Sequence, residues 1–294
     1  MLHAAAVAVA VLLAPQSGNA DAAIPTVMST SLCADQFALA LLPPERILSL
    51  SQSAADPDLS IHWRQAAAMP GNRGTVEEIV MARPDIVIAD AWGVDKTRDF
   101  LEAEGMEVIA LPLLEDLGEI ADLTETVAAR LGVAERGRQL AAAMRARIAV
   151  AEREEGAERE EGTEREAGAR PRTLYMSPGG TTAGPGSFGH EVLRAGGAEN
   201  IAATEMGLQG WGTIGLEQAM LADPDLLVLS FFRDNAFSLT QRMRFHSGFQ
   251  ALLDRVPATE IQGRHWICSG WFLMLAIADL RIGIAELRRD GGLP

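Results

Sequence analysis

The feature that most constrains the fold is an internal repeat, whose two copies lie 140 positions apart in the chain. TVEEIVMARPDIVIAD, from Thr75 to Asp90, aligns with GLEQAMLADPDLLVLS, from Gly215 to Ser230. Each copy has a short helical pattern, a Pro-Asp turn and then an unbroken apolar run, which is typical of strands buried on both faces. The repeat therefore predicts two related lobes, each with a helix that leads into a parallel strand.

The patterns around the repeat predict an α/β fold in which two lobes with mainly parallel sheets are joined by one long inter-lobe helix. The predicted strands are Arg46 to Leu50, Ile86 to Ala89, Glu107 to Leu111, Thr173 to Met176 and Leu226 to Leu229. The predicted helices are Asp35 to Leu42, Lys96 to Glu104, Ile120 to Leu131 and Glu191 to Ala195. Ligands of such lobes bind outside the carboxyl ends of the strands, so a cleft between two facing lobes is expected.

The chain of 294 residues divides into four predicted segments. Residues 1–22 have the apolar run and the small residues of a secretory signal peptide, although basic residues are missing before the run. The first lobe spans 23–133, a linking helix with a Glu- and Arg-rich low-complexity extension spans 134–170, and the second lobe spans 171–294. We therefore expect an exported, soluble protein of the periplasm, and we expect a monomer.

Composition and motifs argue against several classes of function. A net charge of −15 disfavours nucleic acid, because affinity for phosphates depends on Lys and Arg. Gly184, Gly186 and Gly189 spell the GxGxxG of a dinucleotide site, but the expected βαβ unit with a ribose-binding acid is missing. The sequence has no G-x-S-x-G motif, and its histidines show no ligand-like pairing with carboxylates. We expect a protein that is not an enzyme and has no cofactor or bare metal ion.

Cys33 and Cys268 are the two cysteines of the chain. An even number of cysteines in an exported protein is compatible with one disulfide that joins distant parts of the chain. Two separate buried thiols that pack as small hydrophobic groups are an equally good interpretation. The sequence leaves both alternatives open.

The loops that follow the predicted strands are rich in aromatic and polar side chains. Large aromatic rings that line a cleft suit a flat macrocycle or an aryl chelate, with a few polar groups to fix its orientation. The alternative is that these tryptophans pack beneath the loops as core residues. The candidate ligand-binding residues are Ser51, Gln52, Arg73, Trp92, Trp211, Phe231, Arg233 and Trp271.

Four segments together resemble the periplasmic binding proteins that serve cobalamin, haem and ferric-siderophore importers. The segments are RILSLSQSAADP, EEIVMARPDIVIA, FGHEVLRAGGAENIA and WGTIGLEQAMLADPDLLVL. The resemblance covers essentially the whole mature chain and implies the class III arrangement of two α/β lobes joined by a single rigid helix. It also implies the substrate-binding component of an ABC importer, which captures a metal chelate and delivers it to the membrane permease.

In that family, one glutamate on each lobe docks into arginine pockets of the two membrane-spanning subunits. The matching residues are Glu77 and Glu217, each seven positions before the proline of its Pro-Asp turn. Thr75 is a predicted N-cap with Glu78 at the third helical position, and this capping box leaves Glu77 free to point outward. The alternative is that both glutamates only favour the positive end of a helix dipole.

The resemblance is less specific for the ligand than for the class. Haem capture in the family often uses a tyrosine just before the first docking glutamate, where this chain has MPGNRGTVEE, and its only tyrosine is Tyr175. Ferric siderophores commonly require several arginines in the cleft, for which only Arg73 and Arg233 are candidates. Cobalamin needs few charges and is favoured over a ferric siderophore. The remaining alternatives are a soluble ligand sensor or chaperone of the same fold, and an α/β enzyme that acts in the cleft.

Overall fold

A computed structural model of the chain describes residues 25–161, 170–231 and 243–293. For residues 154–161 it describes the backbone only. The predicted signal peptide, the end of the low-complexity run and Arg233 lie outside these residues. The described chain is α/β and contains two separate parallel sheets, as the sequence predicts. Among the helices described, none has both the length and the apolarity needed to cross a lipid bilayer.

The first sheet has five parallel strands in the order β3-β2-β1-β4-β5. They are β1 (Val27–Ser29), β2 (Ile47–Ser51), β3 (Gly71–Asn72), β4 (Ile86–Asp90) and β5 (Glu107–Leu111). The helices of this lobe are α1 (Leu32–Leu41), α2 (Trp63–Ala66), α3 (Val76–Ala82), α4 (Ala91–Val94), α5 (Arg98–Ala103) and α6 (Leu117–Arg130). The strands are apolar on both faces because helices cover both sides of the sheet.

The second sheet has four parallel strands in the order β11-β10-β6-β8, and an antiparallel pair, β7-β9, lies beside it. The strands are β6 (Arg172–Met176), β7 (Thr181–Ala183), β8 (Glu199–Asn200), β9 (Trp211–Thr213), β10 (Leu226–Leu229) and β11 (Ala258–Glu260). Before this lobe comes α7 (Ala134–Glu161), and within it are α8 (Phe188–Ala195), α9 (Ile201–Thr204), α10 (Leu216–Ala222), α11 (Ser247–Leu253) and α12 (Leu273–Arg289).

The sequence repeat corresponds to a structural repeat. The order β2-β1-β4-β5 of the first sheet matches the order β8-β6-β10-β11 of the second. In each lobe a seven-residue helix, α3 or α10, ends at a residue in the left-handed region, Arg83 (φ 48°) or Asp223 (φ 44°). The aspartate of each Pro-Asp turn then accepts a hydrogen bond from a backbone N–H at the start of the neighbouring strand. Asp85 accepts from Thr26, just before β1 (2.7 Å), and Asp225 accepts from Arg172, the first residue of β6 (2.9 Å).

A segment between β11 and α12 returns to the first lobe, and we call residues 263–272 the crossing segment. Arg264 Nη1 donates to the carbonyl oxygen of Pro57 (2.9 Å), and Ser269 Oγ accepts from the N–H of Leu114 (3.2 Å). Cys268 forms a disulfide with Cys33 of α1, with 5.7 Å between the Cα atoms. A continuous apolar core runs through both lobes at this crossing, so α7 and the crossing segment both connect the lobes.

The predicted strands and helices all correspond to elements of the structure, with ends that differ by a few residues. Several elements have no counterpart in the predictions, among them the strands β3, β7, β8, β9 and β11 and the helices α2, α4, α9 and α11. The predictions also lack one strand and one helix that contribute buried residues to the apolar core. One is β1, the central strand of the first sheet, which is only three residues long. The other is α12, which packs against β11 and α8 and supplies buried Leu280 and Ile284 to the core.

Candidate ligand-binding cleft

A cavity of ≈ 320 Å³ lies between the lobes, near the carboxyl ends of β5, β6 and β10. Leu113 lines it from the first lobe, after β5, while the second lobe and the crossing segment supply the remaining wall. The wall from that side consists of Tyr175, Ser177, Thr181, Phe188, Trp211, Phe231, Trp266 and Ile267. Its position is where an α/β lobe is expected to bind a ligand, and its volume is at the lower end of the range for small-molecule sites.

The aromatic rings of this wall pack against one another. Tyr175 is tilted against Trp266 with ring centroids 4.8 Å apart, and Trp211 and Phe188 form an edge-to-face pair with ring centroids 5.0 Å apart. Such ring pairs are favourable beyond their buried area. Tyr175, Phe188 and Trp266 are almost fully buried, whereas Trp211 remains 38 % exposed. Trp211 therefore combines exposed ring surface with support from a packed neighbouring ring.

Backbone features hold two of these rings in place. A Cβ atom at Gly189 would lie 2.7 Å from Cη2 of Trp211, and one at Gly263 would lie 2.6 Å from Cδ1 of Phe231. Phe231 itself has a φ of 66°, which costs roughly 1–3 kcal/mol for a residue other than glycine. Strain of this kind at the end of β10 is characteristic of ligand sites, where the fold holds a side chain in a required position.

The first-lobe side of the cleft is polar near the ends of β2 and β4. Ser51 donates to the buried Asp35 twice, from its hydroxyl to Oδ2 (2.5 Å) and from its N–H to Oδ1 (3.0 Å). Burial raises the pKa of Asp35 to about 6, and the nearby carboxylate of Asp90 raises it slightly further, whereas hydrogen bonds from Ser29 and Ser51 act in the opposite direction. Burial also raises the pKa of Asp90.

Stability is expected to fall as the pH rises, because of Asp35. In the folded protein the Asp35 carboxyl keeps its proton up to about pH 6, whereas in an unfolded chain it releases the proton near pH 3.8. The folded state therefore binds more protons than the unfolded state between these two pH values. Ionisation of Asp35 should lower the unfolding free energy by up to about 3 kcal/mol by pH 7, with most of this loss between pH 4 and 6. Asp35→Asn should remove that fall in a series of urea titrations from pH 4 to 7. Parallel curves for variant and wild type would contradict the assignment.

The predicted ligand-binding residues do not all come together. Trp211 and Phe231 line the cavity. Ser51, Gln52, Arg73 and Trp92 lie at the carboxyl ends of first-lobe strands, outside the cavity wall, and Trp92 on α4 is 84 % exposed. Trp271 is not in the wall either: it is buried in the crossing segment, where it packs against His62 and the edge of Phe272.

Several wall residues were not singled out by the sequence analysis, above all Tyr175, Phe188 and Leu113. Tyr175 is the last residue but one of β6, so an aromatic residue at the carboxyl end of a predicted parallel strand was the available signal. Phe188 follows Ser187, which N-caps α8 by accepting from the N–H of His190 (3.2 Å). The glycines of the GxGxxG pattern serve packing here, since a Cβ at Gly184 would lie 2.4 Å from the carbonyl oxygen of Leu208.

A second depression, of ≈ 560 Å³, lies along residues 132–140 at the start of α7. It is larger than the cleft cavity, but the described residues of its wall all come from this one segment, and none of them is aromatic. Within the part of the chain that the structure describes, no three His, Cys, Asp or Glu side chains are grouped so as to hold a metal ion. The cleft between the lobes is therefore the candidate site.

The helices α3 and α10 expose the two predicted docking glutamates. Thr75 caps α3 by accepting from the N–H of Glu78, whose carboxylate accepts from the N–H of Thr75 in return, as predicted. In α10, Gln218 Oε1 accepts from the N–H of Gly215 (3.0 Å). Glu77 and Glu217 are both exposed.

Comparison with known proteins identifies the class that this fold defines. The profile described as "Periplasmic binding protein" matches residues 64–236, more than half of the chain. The chain belongs to this family, and its fold is that of class III periplasmic binding proteins. No curated protein sequence matches it.

Solved structures of low sequence identity have the same fold. The haem-binding protein RhuT from Roseiflexus sp. RS-1, in apo form, is 21 % identical with a TM-score of 0.65, over 89 % of this chain and 98 % of that one. The vitamin B12-binding protein BtuF of Vibrio cholerae is 18 % identical with a TM-score of 0.61, over 90 % and 98 %. The haem-binding protein HutB of Vibrio cholerae is 14 % identical with a TM-score of 0.65, over 89 % and 98 %.

Proposed function

We propose that this protein is the substrate-binding component of an ABC importer, and that it captures a metal chelate in the cleft between its lobes. The observation that carries the proposal is the aromatic wall of the cavity, in which Trp211 is partly exposed and is supported by Phe188. Stacked aromatic area provides affinity for a flat ligand without the directional groups that catalysis requires. We therefore expect a carrier and not an enzyme.

Within the class of metal chelates, the polarity of the wall favours a corrinoid such as cobalamin, and a ferric siderophore is the next candidate. Among the residues that the structure describes, the wall of the cavity contains aromatic, aliphatic and hydroxyl side chains, and no charged one. A ligand with few charges suits such a wall, because an unpaired charge is costly to bury. Burial also raises the pKa of Tyr175 well above its usual value, which disfavours the phenolate form that binds haem iron.

The proposal includes export and docking. Residues 1–22 are removed on export to the periplasm, where lobes 23–133 and 171–294, joined through 134–170, carry the ligand to the permease. Glu77 and Glu217 enter cationic pockets of the two membrane-spanning subunits. Both carboxylates are exposed at the first turns of matching helices, one on each lobe, which supports this role.

Binding is tested by titrating the purified mature protein with cobalamin, haem and a panel of ferric siderophores. Quenching of tryptophan fluorescence, corrected for ligand absorbance and repeated by calorimetry, should be saturable with one ligand per protein for one member of the panel. Turnover of the ligand without any transporter subunit would instead favour the enzyme alternative.

Trp211→Ala is expected to weaken binding of that ligand about 10- to 100-fold, because it removes the exposed face of the aromatic wall. Trp63→Ala is the matched control, since Trp63 lies on α2 and does not line the cavity. Affinities measured by calorimetry should show the loss for Trp211→Ala alone. Equal affinities for both variants would place the ligand elsewhere.

A further inference from the structure

Two large apolar side chains are almost fully exposed at matching positions of the repeat. Among the described residues, three large apolar side chains are more than 80 % exposed: Met81 (86 %), Leu221 (85 %) and Trp92 (84 %). Single exposed apolar residues are common on protein surfaces and need no explanation. Met81 and Leu221, however, occupy the same position in the two copies of the repeat, 140 positions apart.

Each of these apolar residues lies on the same helix face as a docking glutamate. Met81 is four residues after Glu77 on α3, and Leu221 is four residues after Glu217 on α10. Residues four apart are neighbours on the surface of a helix. We call Glu77 with Met81 the first knob, and Glu217 with Leu221 the second knob.

Both knobs are held rigidly and in the same way. Each helix is capped at its start through its third residue and ends at a left-handed corner followed by a buried proline, Pro84 or Pro224. The next residue, Asp85 or Asp225, fastens the corner to the backbone of the adjoining strand. The two lobes therefore present the same pair of groups in the same local geometry.

The knobs have unused binding capacity. Within the described residues, neither Glu77 nor Glu217 has a hydrogen bond or an ion pair, whereas Glu78 and Gln218 are occupied in capping. An acidic group beside an exposed apolar group is complementary to a cationic pocket with an apolar rim. Exclusion of water by the apolar contact strengthens the ion pair next to it, because the attraction grows as the local dielectric constant falls.

We propose that Met81 and Leu221 belong to the docking surface and insert into the apolar rims of two equivalent cationic pockets, one on each of two symmetry-related membrane subunits. This inference rests on the proposed docking of Glu77 and Glu217. A surface that occurs twice on one chain is suited to a partner that presents the same pocket twice, as a two-fold dimer does.

The test measures docking of the ligand-loaded protein to its cognate permease, purified into lipid nanodiscs. Met81→Ser and Leu221→Ser should each weaken docking about ten-fold, to similar extents, and together about 100-fold. Ile282→Ser is the matched control, because Ile282 is also exposed on a helix, α12, but lies outside the repeat. It should leave docking unchanged, and all three variants should keep the ligand affinity of the wild type.

Glu77→Ala with Glu217→Ala is measured in parallel. If the alanine pair abolishes docking while Met81→Ser with Leu221→Ser leaves docking unchanged, the inference about the apolar residues is wrong and the docking proposal stands. If neither pair affects docking, the docking proposal itself is wrong. A loss confined to one knob would overturn the two-fold match. Sedimentation tests whether these apolar residues instead bind a second copy of the chain. If the wild type is a dimer and Met81→Ser with Leu221→Ser makes it monomeric, the inference is also wrong.

Discussion

Uptake of the ligand is expected to fall at least 100-fold in the double variant Glu77→Ala with Glu217→Ala, while ligand affinity stays that of the wild type. Removing one partner of a buried, hydrogen-bonded charge pair at an interface typically costs 2–5 kcal/mol, and this variant removes two. Both glutamates lie on exposed helix starts, outside the cavity wall. Ligand binding therefore has no direct dependence on them.

The measurement combines uptake of labelled ligand in proteoliposomes with calorimetry of the free protein. The matched control is Glu78→Gln with Gln218→Glu, which alters the next residue of each helix, where the side chain caps its own backbone. The control should dock and transport normally. Persistent uptake by the alanine pair would remove the docking assignment, and a loss of ligand affinity would show that these residues act on the cleft.

The second large effect expected is on stability, when the disulfide between Cys33 and Cys268 is removed. The bond closes a loop with a sequence separation of 235 residues. A cross-link across so long a loop lowers the entropy of the unfolded chain, by an amount worth about 5 kcal/mol in the chain-entropy account. Cys33→Ser with Cys268→Ser should therefore unfold about 10 °C lower than the wild type.

Calorimetric scans of the oxidised protein, the reduced protein and the double serine variant provide the test. The reduced protein and the variant should unfold at similar temperatures, both well below the oxidised protein. The single variants Cys33→Ser and Cys268→Ser should match the double variant. Coincident transitions for all forms would mean that the bond adds no stability.

The repeat explains why so much of the fold could be predicted. Helix, Pro-Asp turn and buried strand occur twice in the sequence, and both copies adopt the structure they predict, because each local choice agrees with the packing of its lobe. The strand β1 was missed because three residues are too few to establish a period. The helix α12 does carry apolar residues at helical spacing, including Leu280, Ile284 and Leu287, and that signal could have found it.

The candidate site was harder to predict than the fold. Phe231 follows from the rule that ligands meet the carboxyl ends of parallel strands, whereas Trp211 begins β9, the antiparallel partner of β7. Trp271 shows the limit of the rule, since it lies in a loop rich in aromatic residues and yet is buried by the crossing segment. No sequence pattern reveals that a late segment returns across the first lobe, because such contacts join residues more than 150 positions apart.

The disulfide also sets the order of events in the maturation of the chain. Cys33 lies in the first helix, whereas Cys268 lies beyond the last strand. Synthesis proceeds from the amino end, so Cys33 is made first. It remains a free thiol until nearly the whole polypeptide has been made, because its partner lies 235 positions later. Oxidation is therefore a closing step of biogenesis, and a chain truncated before Cys268 would carry an unpaired, reactive thiol in its first lobe.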